Sequence, residues 1–268
     1  MSPWLAAVVI AGVVAAAVAA KLLLRRRAPL GGWFTDSSRG AGIFGVLGTM
    51  FSVVLAFVIF LALESYQRAR ADSATEAVSV TELHGIAEFF PEPSRQALQS
   101  GLVCYARAVI ADEWPAMKDG HDSELVQSWI DRLHREVAVA VPSDARQEAA
   151  YGQWFDEEAM RRDGRRGRLV EAAPFVPVPL WSVLVLGAAL VICYMCAQAD
   201  RREGVVIQSI TVGFVAALVT SGLLVVAFLD RPYAGHSGSI MPTEMRRTIE
   251  LIDRGEPVPC DARGVSTG

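Results

Sequence analysis

IFGVLGTMFSVVLAFVIFLAL, residues 43–63, runs without a break into ESYQRARADSATEAVSVTELHGIAEFF, residues 64–90. The first stretch carries no charge. At about 1.5 Å per helical residue it is long enough to cross a hydrocarbon core roughly 30 Å thick. The second stretch is polar, yet no proline interrupts it before Pro91. Together they predict one helix that starts as a membrane span and leaves the bilayer unbroken.

Three further stretches, 3–24, 180–199 and 205–229, have the same apolar character, and Lys21 is the one charged residue in any of the four. The chain of 268 residues is 52% hydrophobic, with a mean hydropathy of +0.33. A helix of a soluble core would show a polar stripe, which these segments lack. A charge at the bilayer centre costs about 3 kcal/mol, so their freedom from charge is a strong constraint. The expected fold is an all-α polytopic membrane protein with four transmembrane helices and a helical extramembrane domain. The expected domains are 1–63 with spans 3–24 and 43–63, then the insert 64–178, then 179–229 with spans 180–199 and 205–229, and a C-terminal segment 230–268.

The first span reads as an anchor, because a secretory signal carries its positive charges before the apolar run. Here Met1, Ser2, Pro3 and Trp4 are uncharged, and Lys21, Arg25, Arg26 and Arg27 come afterwards. A glycine-rich loop with Trp33 and Phe34 at the membrane interface joins the first two spans. Residues 200–203 leave room only for an antiparallel hairpin between the last two.

Within the insert, Ala69, Ser73, Ala77, Val80, Leu83, Ala87 and Phe90 recur at helical spacing and mark an inner face. Pro91 and Pro93 end that helix. Ser94 is the expected N-cap of a second helix with Leu98, Leu102, Tyr105, Val109 and Ile110 inward, and 118–122 forms a turn. A third carries Leu125, Trp129, Leu133 and Val137 up to Pro142. Ser143 is the expected cap of a fourth, with Ala150, Trp154 and Phe155 inward. The arginine-rich run 161–168 then leads through Pro174, Pro177 and Pro179 to the third span. A short amphipathic helix over 243–253 follows the last span, and the tail beyond Gly255 reads as disordered.

Small residues recur every four positions at Gly48, Ser52 and Ala56, and at Ser209, Gly213, Ala217 and Ser221. Such stripes let helix backbones approach closely, either within one bundle or between copies of the chain. On the other flank of the second span lie Ile43, Leu47, Met50, Val54, Val58 and Leu61. They face lipid, or, if copies surround an axis, form a hydrophobic constriction. Charges gather at the span ends, with Glu64 and Arg68 after the second and Asp230 and Arg231 after the fourth. They form an interfacial ion-pair network or a ring at a pore mouth.

No ionisable group sits deep in a span, which argues against proton-coupled transport. His84, His121, His134 and His236 lack metal-ligand spacing, and no phosphate loop or nucleophile motif is present. No catalytic residue, metal or cofactor is expected. The net charge of −4 offers nothing to nucleic acid. Of the four cysteines, Cys193 and Cys196 lie inside the third span, whereas Cys104 and Cys260 lie outside the spans. A bond between that second pair would require an oxidising compartment.

Positive charges in short loops mark the cytoplasmic side. Arg25, Arg26, Arg27 and Arg39 in the first loop and Arg201 and Arg202 in the last put the insert and both termini outside. Arg68, Arg70 and the 161–168 run pull the other way.

The segment Glu64-Ser65-Tyr66-Gln67-Arg68-Ala69-Arg70 with Glu76-Ala77, the group Arg165, Arg166, Arg168, Leu169, Pro177 and Trp181, and Leu229-Asp230-Arg231-Pro232-Tyr233 resemble a bacterial family of four-span membrane proteins grouped as bestrophin-like. The resemblance covers about residues 40–255. Bestrophins are pentameric anion channels whose second helices line a hydrophobic neck. The resemblance therefore implies a homo-oligomer in the cell membrane, with inorganic anions and lipid as partners and Ile43, Leu47, Met50 and Val54 at the neck. Two features depart from bestrophins: their helical domain is cytoplasmic, opposite to the loop charges here, and the acidic calcium cluster of animal bestrophins has no counterpart. The expected function is an oligomeric anion channel. The alternative is a non-conducting scaffold or sensor whose insert binds a partner protein.

Overall fold

The structure is a computed structural model that describes residues 2–29 and 37–267. Trp33 and Phe34 of the first loop lie outside the described residues. Along the chain run α1 (Pro3–Arg27), α2 (Ser37–Ala87), α3 (Ser94–Ala108), a π-helical turn (Val109–Glu113), α4 (Trp114–Ala116), a 3-10 turn (Met117–Asp119), α5 (Glu124–Val139), α6 (Ala145–Val170), α7 (Val178–Ala197), α8 (Val205–Leu229) and α9 (Thr243–Ile252). The chain divides into two compact units, Met1–Ser65 with Pro174–Asp230, and Tyr66–Ala173 with Arg231–Gly268.

The first unit holds α1, the first part of α2, α7 and α8, the four helices long and apolar enough to cross a membrane. Ser2 caps α1 by accepting the Leu5 amide at 3.3 Å. Pro3, at the first helical position, loses no hydrogen bond it would otherwise make. Arg25, Arg26 and Arg27 fill the last turn, where cations suit the helix dipole. Ala17 of α1 packs with Val212 and Ala216 of α8 and with Met195 and Cys196 of α7. Lys21 is buried there, and its ammonium donates to the Met195 carbonyl at 2.7 Å. A long side chain at a span end thus satisfies one of the open carbonyls of α7.

One face of α2 closes this unit. Phe44 stacks on Tyr194 with ring centres 6.2 Å apart, and the Tyr194 hydroxyl donates to Gly40 O. Phe51 lies beneath Gly187 and Leu55 beneath Gly222, where no larger residue would leave them room. Val58 is buried with Val176, Leu184 and Val226.

The second unit is built from the rest of α2, α3 to α6, α9 and the C-terminal segment. Its core gathers Leu83, Leu98, Leu102, Tyr105, Trp129, Leu133 and Trp154. In α5, Val126, Trp129, Ile130, Leu133 and Val137 all point inward, three or four residues apart. Ser123 caps it by accepting the Val126 amide. Trp154 meets the edge of Phe90 at 5.5 Å, and Trp114 meets Tyr233 at 5.5 Å.

Four details differ from what the sequence suggests. Ser94 is the first residue of α3 and Pro93 its cap position, with no side-chain cap bond. The cap of α6 is Asp144, whose carboxylate accepts the Gln147 amide at 2.8 Å, and not Ser143, which bonds Gln147 Oε1. Phe155 is 51% exposed while Trp154 is buried, because successive helical residues lie about 100° apart and only one can face the core. The tail beyond Gly255 is ordered. A disulfide joins Cys260 to Cys104 on α3, with Cα atoms 5.9 Å apart. Trp129 Nε1 donates to Gly264 O at 2.7 Å, and Arg107 pairs with Asp253 at 2.6 Å. Gly264, at φ +80°, lies so close to the Ala108 backbone that a side chain would collide with it. Hydropathy cannot see these ties.

Candidate functional site

At 100° per residue, α2 presents three faces in the first unit. Phe44, Phe51, Leu55, Val58 and Ala62 look inward. To one side, Gly48, Ser52 and Ala56 line a shallow groove with Phe44, Gly45, Thr49 and Val53. Outside its own turn of α2, nothing among the described residues lies within 4 Å of where a Gly48 side chain would start. To the other side, Ile43 is 44% exposed, Met50 66% and Val54 38%, and Leu47 is half-buried beside them. Val58 departs from that apolar line: at 4% exposure it packs into its own unit and has no surface with which to line a pore.

The second stripe of small residues behaves differently. Ser209, Gly213, Ala217 and Ser221 of α8 are all half-buried, and a Gly213 side chain would meet Val14 and Val18 of α1. Two of the span-end charges, Asp230 and Arg68, make contacts within their own units. Asp230 accepts the Val176 amide at 2.7 Å and Trp181 Nε1 at 3.4 Å, which fixes the entry to α7. Arg68 pairs with Glu171 at 3.4 Å. Arg231 is exposed, its carbonyl accepting the Ala234 amide. Glu64 is exposed as well.

A buried charge network in the second unit was not anticipated. Arg168, with no exposed surface, donates from Nε and Nη2 to the two Glu76 oxygens at 2.6 and 3.0 Å. Its Nη2 also reaches Glu113 Oε2 at 2.5 Å, and its guanidinium lies 5.1 Å from the Trp114 ring centre. Arg165 pairs with Glu113 at 2.6 Å. The Tyr105 hydroxyl donates to Glu76 at 2.5 Å and accepts from Arg161 at 2.8 Å. Arg161 in turn holds Glu158 at 2.6 Å, and His134 closes the line at 3.2 Å from Glu158. Glu76, Glu113 and Glu158 balance Arg161, Arg165 and Arg168, three charges against three. The Tyr105 and Tyr233 hydroxyls are pushed well above the usual phenol range, chiefly by burial. Burial alone would raise the Glu113 carboxyl, but Arg168 and Arg165 outweigh it and hold the group below its ordinary value. Tyr233 donates to Ala69 O at 2.6 Å, tying the segment after α8 to α2.

The sequence carried a signal for this network. Arg161, Arg165 and Arg168 stand at i, i+4 and i+7, one face of a helix. Gly164, on that face, lies against the α2 backbone, where an added Cβ would be 2.7 Å from Glu76 N. A Gly167 Cβ would collide with the Asp72 carboxylate. The run that reads as a charged approach to the membrane is a helix face shaped to pack against α2.

Solved structures share this fold. A mutant of a bacterial bestrophin homologue from Klebsiella pneumoniae superposes with a TM-score of 0.66 at 15% identity, covering 91% of this chain and 98% of that one. A second mutant of the homologue gives 0.65 at 15% identity, over 91% and 97%. A structure described as a membrane protein mutant gives 0.66 at 14% identity, over 91% and 99%. Among curated proteins no relative matches. The model of the Bestrophin-like domain matches residues 6–239. By that match, together with four apolar helices and the shared fold, this membrane protein belongs to the bestrophin-like family.

Proposed function

We propose that the chain assembles as a homo-oligomer in the cell membrane, spanning it four times, and conducts inorganic anions through a pore lined by α2. The observation that carries this reading is the contrast between the flanks of α2. An open small-residue groove at Gly48, Ser52 and Ala56 lies on one flank, and an exposed apolar line at Ile43, Leu47, Met50 and Val54 on the other. A neighbouring copy seated in the groove gives a heterologous contact, which makes a ring where the rotation between copies closes and an open filament where it does not. In a ring, the exposed side of α2, with the apolar line at its edge, turns toward the axis and forms a constriction that gates by dewetting. Family membership supports five copies, and the anion follows from the resemblance to bestrophins. Glu64, Arg68, Asp230 and Arg231 then belong near the ends of the conducting path.

Halide influx into proteoliposomes, read with an entrapped halide-quenched dye, tests the reading. A purified oligomer seen as a ring by imaging should conduct, and Met50→Ser should raise the flux by wetting the constriction. No flux from a well-formed ring overturns it. The alternative, a scaffold or sensor whose helical domain binds a partner protein, predicts a monomer or dimer in detergent and no continuous path.

A further inference from the structure

We infer that the second unit, with its Cys104–Cys260 bond, lies outside the cytoplasm in an oxidising compartment, opposite to the cytoplasmic helical domain of bestrophins. The inference concerns orientation and holds whether or not the chain conducts.

The distribution of sulfur is the first observation. Cys104 and Cys260 are both buried in the second unit and bonded to each other. The two cysteines of the membrane unit, Cys193 and Cys196 on α7, are free. A structural disulfide between residues 156 apart in sequence is at home outside the cytoplasm, where thiols are not kept reduced.

Charge is the second, independent observation. The short α1–α2 and α7–α8 loops emerge at the span ends opposite those that lead into the second unit. Arg25, Arg26 and Arg27 end α1 and Arg39 lies in the first turn of α2, flanking the first loop, and Arg201 and Arg202 lie in the second. Arg201 and Arg25 bond each other's carbonyls at 3.1 and 3.0 Å, so the two loops share one basic end. Positive residues in loops this short mark the cytoplasmic side.

Of the charges in the insert, only those within about 15–20 residues of a span end bear on orientation, here Arg68, Arg70 and the 161–168 run. Of these, Arg161, Arg165 and Arg168 are matched within their own unit by Glu158, Glu113 and Glu76, and Arg68 by Glu171. Arg70, Arg162 and Arg166 are left as the exposed arginines of the insert near these ends, three against the six at the α1–α2 and α7–α8 ends. Both observations then agree.

The test combines labelling with thiol counting on the full-length chain in bacterial cells whose outer membrane has been permeabilised. In a background carrying Cys193→Ala and Cys196→Ala, the exposed sites Glu256→Cys and Arg202→Cys are offered a membrane-impermeant maleimide. Glu256→Cys should label in intact cells, and Arg202→Cys only after lysis. The opposite pattern, or both sites labelling from one side, overturns the inference. The second measurement needs no variant: acid-trapped wild-type chain, denatured and treated with a polyethylene-glycol maleimide, should shift by two adducts without reductant and by four after reduction. Four adducts without reductant show Cys104 and Cys260 unbonded in the cell and also overturn it.

Discussion

Gly164 and Gly152 lie on the same helix and answer opposite questions. A methyl group at Gly164 would meet backbone atoms of α2 at 2.7 and 2.9 Å, whereas one at Gly152 meets nothing within 4 Å. Alanine gains about 1 kcal/mol over glycine inside a helix, while overpacking costs about 1–3 kcal/mol and more where the obstacle is main chain. Gly152→Ala should therefore raise the thermal midpoint slightly. Gly164→Ala should lower it by several degrees, and circular dichroism of the protein in detergent reads both. A Gly164→Ala variant as stable as the parent would mean that α6 does not approach α2 this closely. The partners of the buried arginines were beyond reach of sequence reasoning for a related reason. Arg168 lies 92 residues from Glu76 and 55 from Glu113, and no local periodicity links residues so far apart.

At the level of the element, α2 was the most legible part of the chain. Its length follows from an uncharged run that passes into a proline-free polar run, and it spans Ser37–Ala87. What hydropathy could not supply was which way each apolar side chain turns, since every side of a membrane helix is apolar. Phe51 and Leu55 settle it, because each fits under a glycine of a neighbouring helix. Val58 was assigned with Met50 and Val54 for the same reason and is buried instead. The groove at Ser52 yields the prediction that belongs to this scale. Filling it by Ser52→Phe should leave the fold of the single chain intact, since Ser52 is exposed, and should shift the species in detergent toward monomer by light scattering. An unchanged oligomer would remove the groove from the assembly surface.

For the whole molecule, acid is the informative variable. Glu113 is held below its ordinary 4.5 by Arg168 and Arg165 against the effect of burial, and the Arg107 hydrogen bond holds Asp253 below 3.8. A depressed carboxylate contributes stability that is present above its unfolded value and lost as pH falls toward the folded one. His84, lowered from 6.5 by burial and then by Arg254, stays neutral in the fold, so acid favours the unfolded chain there too. Asp72, raised mainly by burial, acts in the opposite sense. With Asp261 and His236 also lowered, five groups outnumber one, so the thermal midpoint should fall from pH 7 to pH 3. In Glu113→Gln it should be lower throughout, because removing one side of a buried pair costs about 3–5 kcal/mol. Its decline below pH 5 should also be shallower. A midpoint flat to pH 3 would contradict the charge network. The four long apolar helices, the all-helical fold and the family were all legible in the sequence, because apolar run length and a few local motifs encode them. The ordered tail was not, because it is held by Cys104, Arg107 and Trp129, residues far away in the chain.

That tail has a consequence for how completed molecules can be recognised. Cys260 follows α8 in the chain, so the ribosome must have made every span before its thiol exists. The bond to Cys104 therefore acts as a stamp placed on the molecule after its last membrane crossing. A pulse of label chased on a non-reducing gel would separate stamped from unstamped chains, and the interval between the two bands would time the end of membrane insertion.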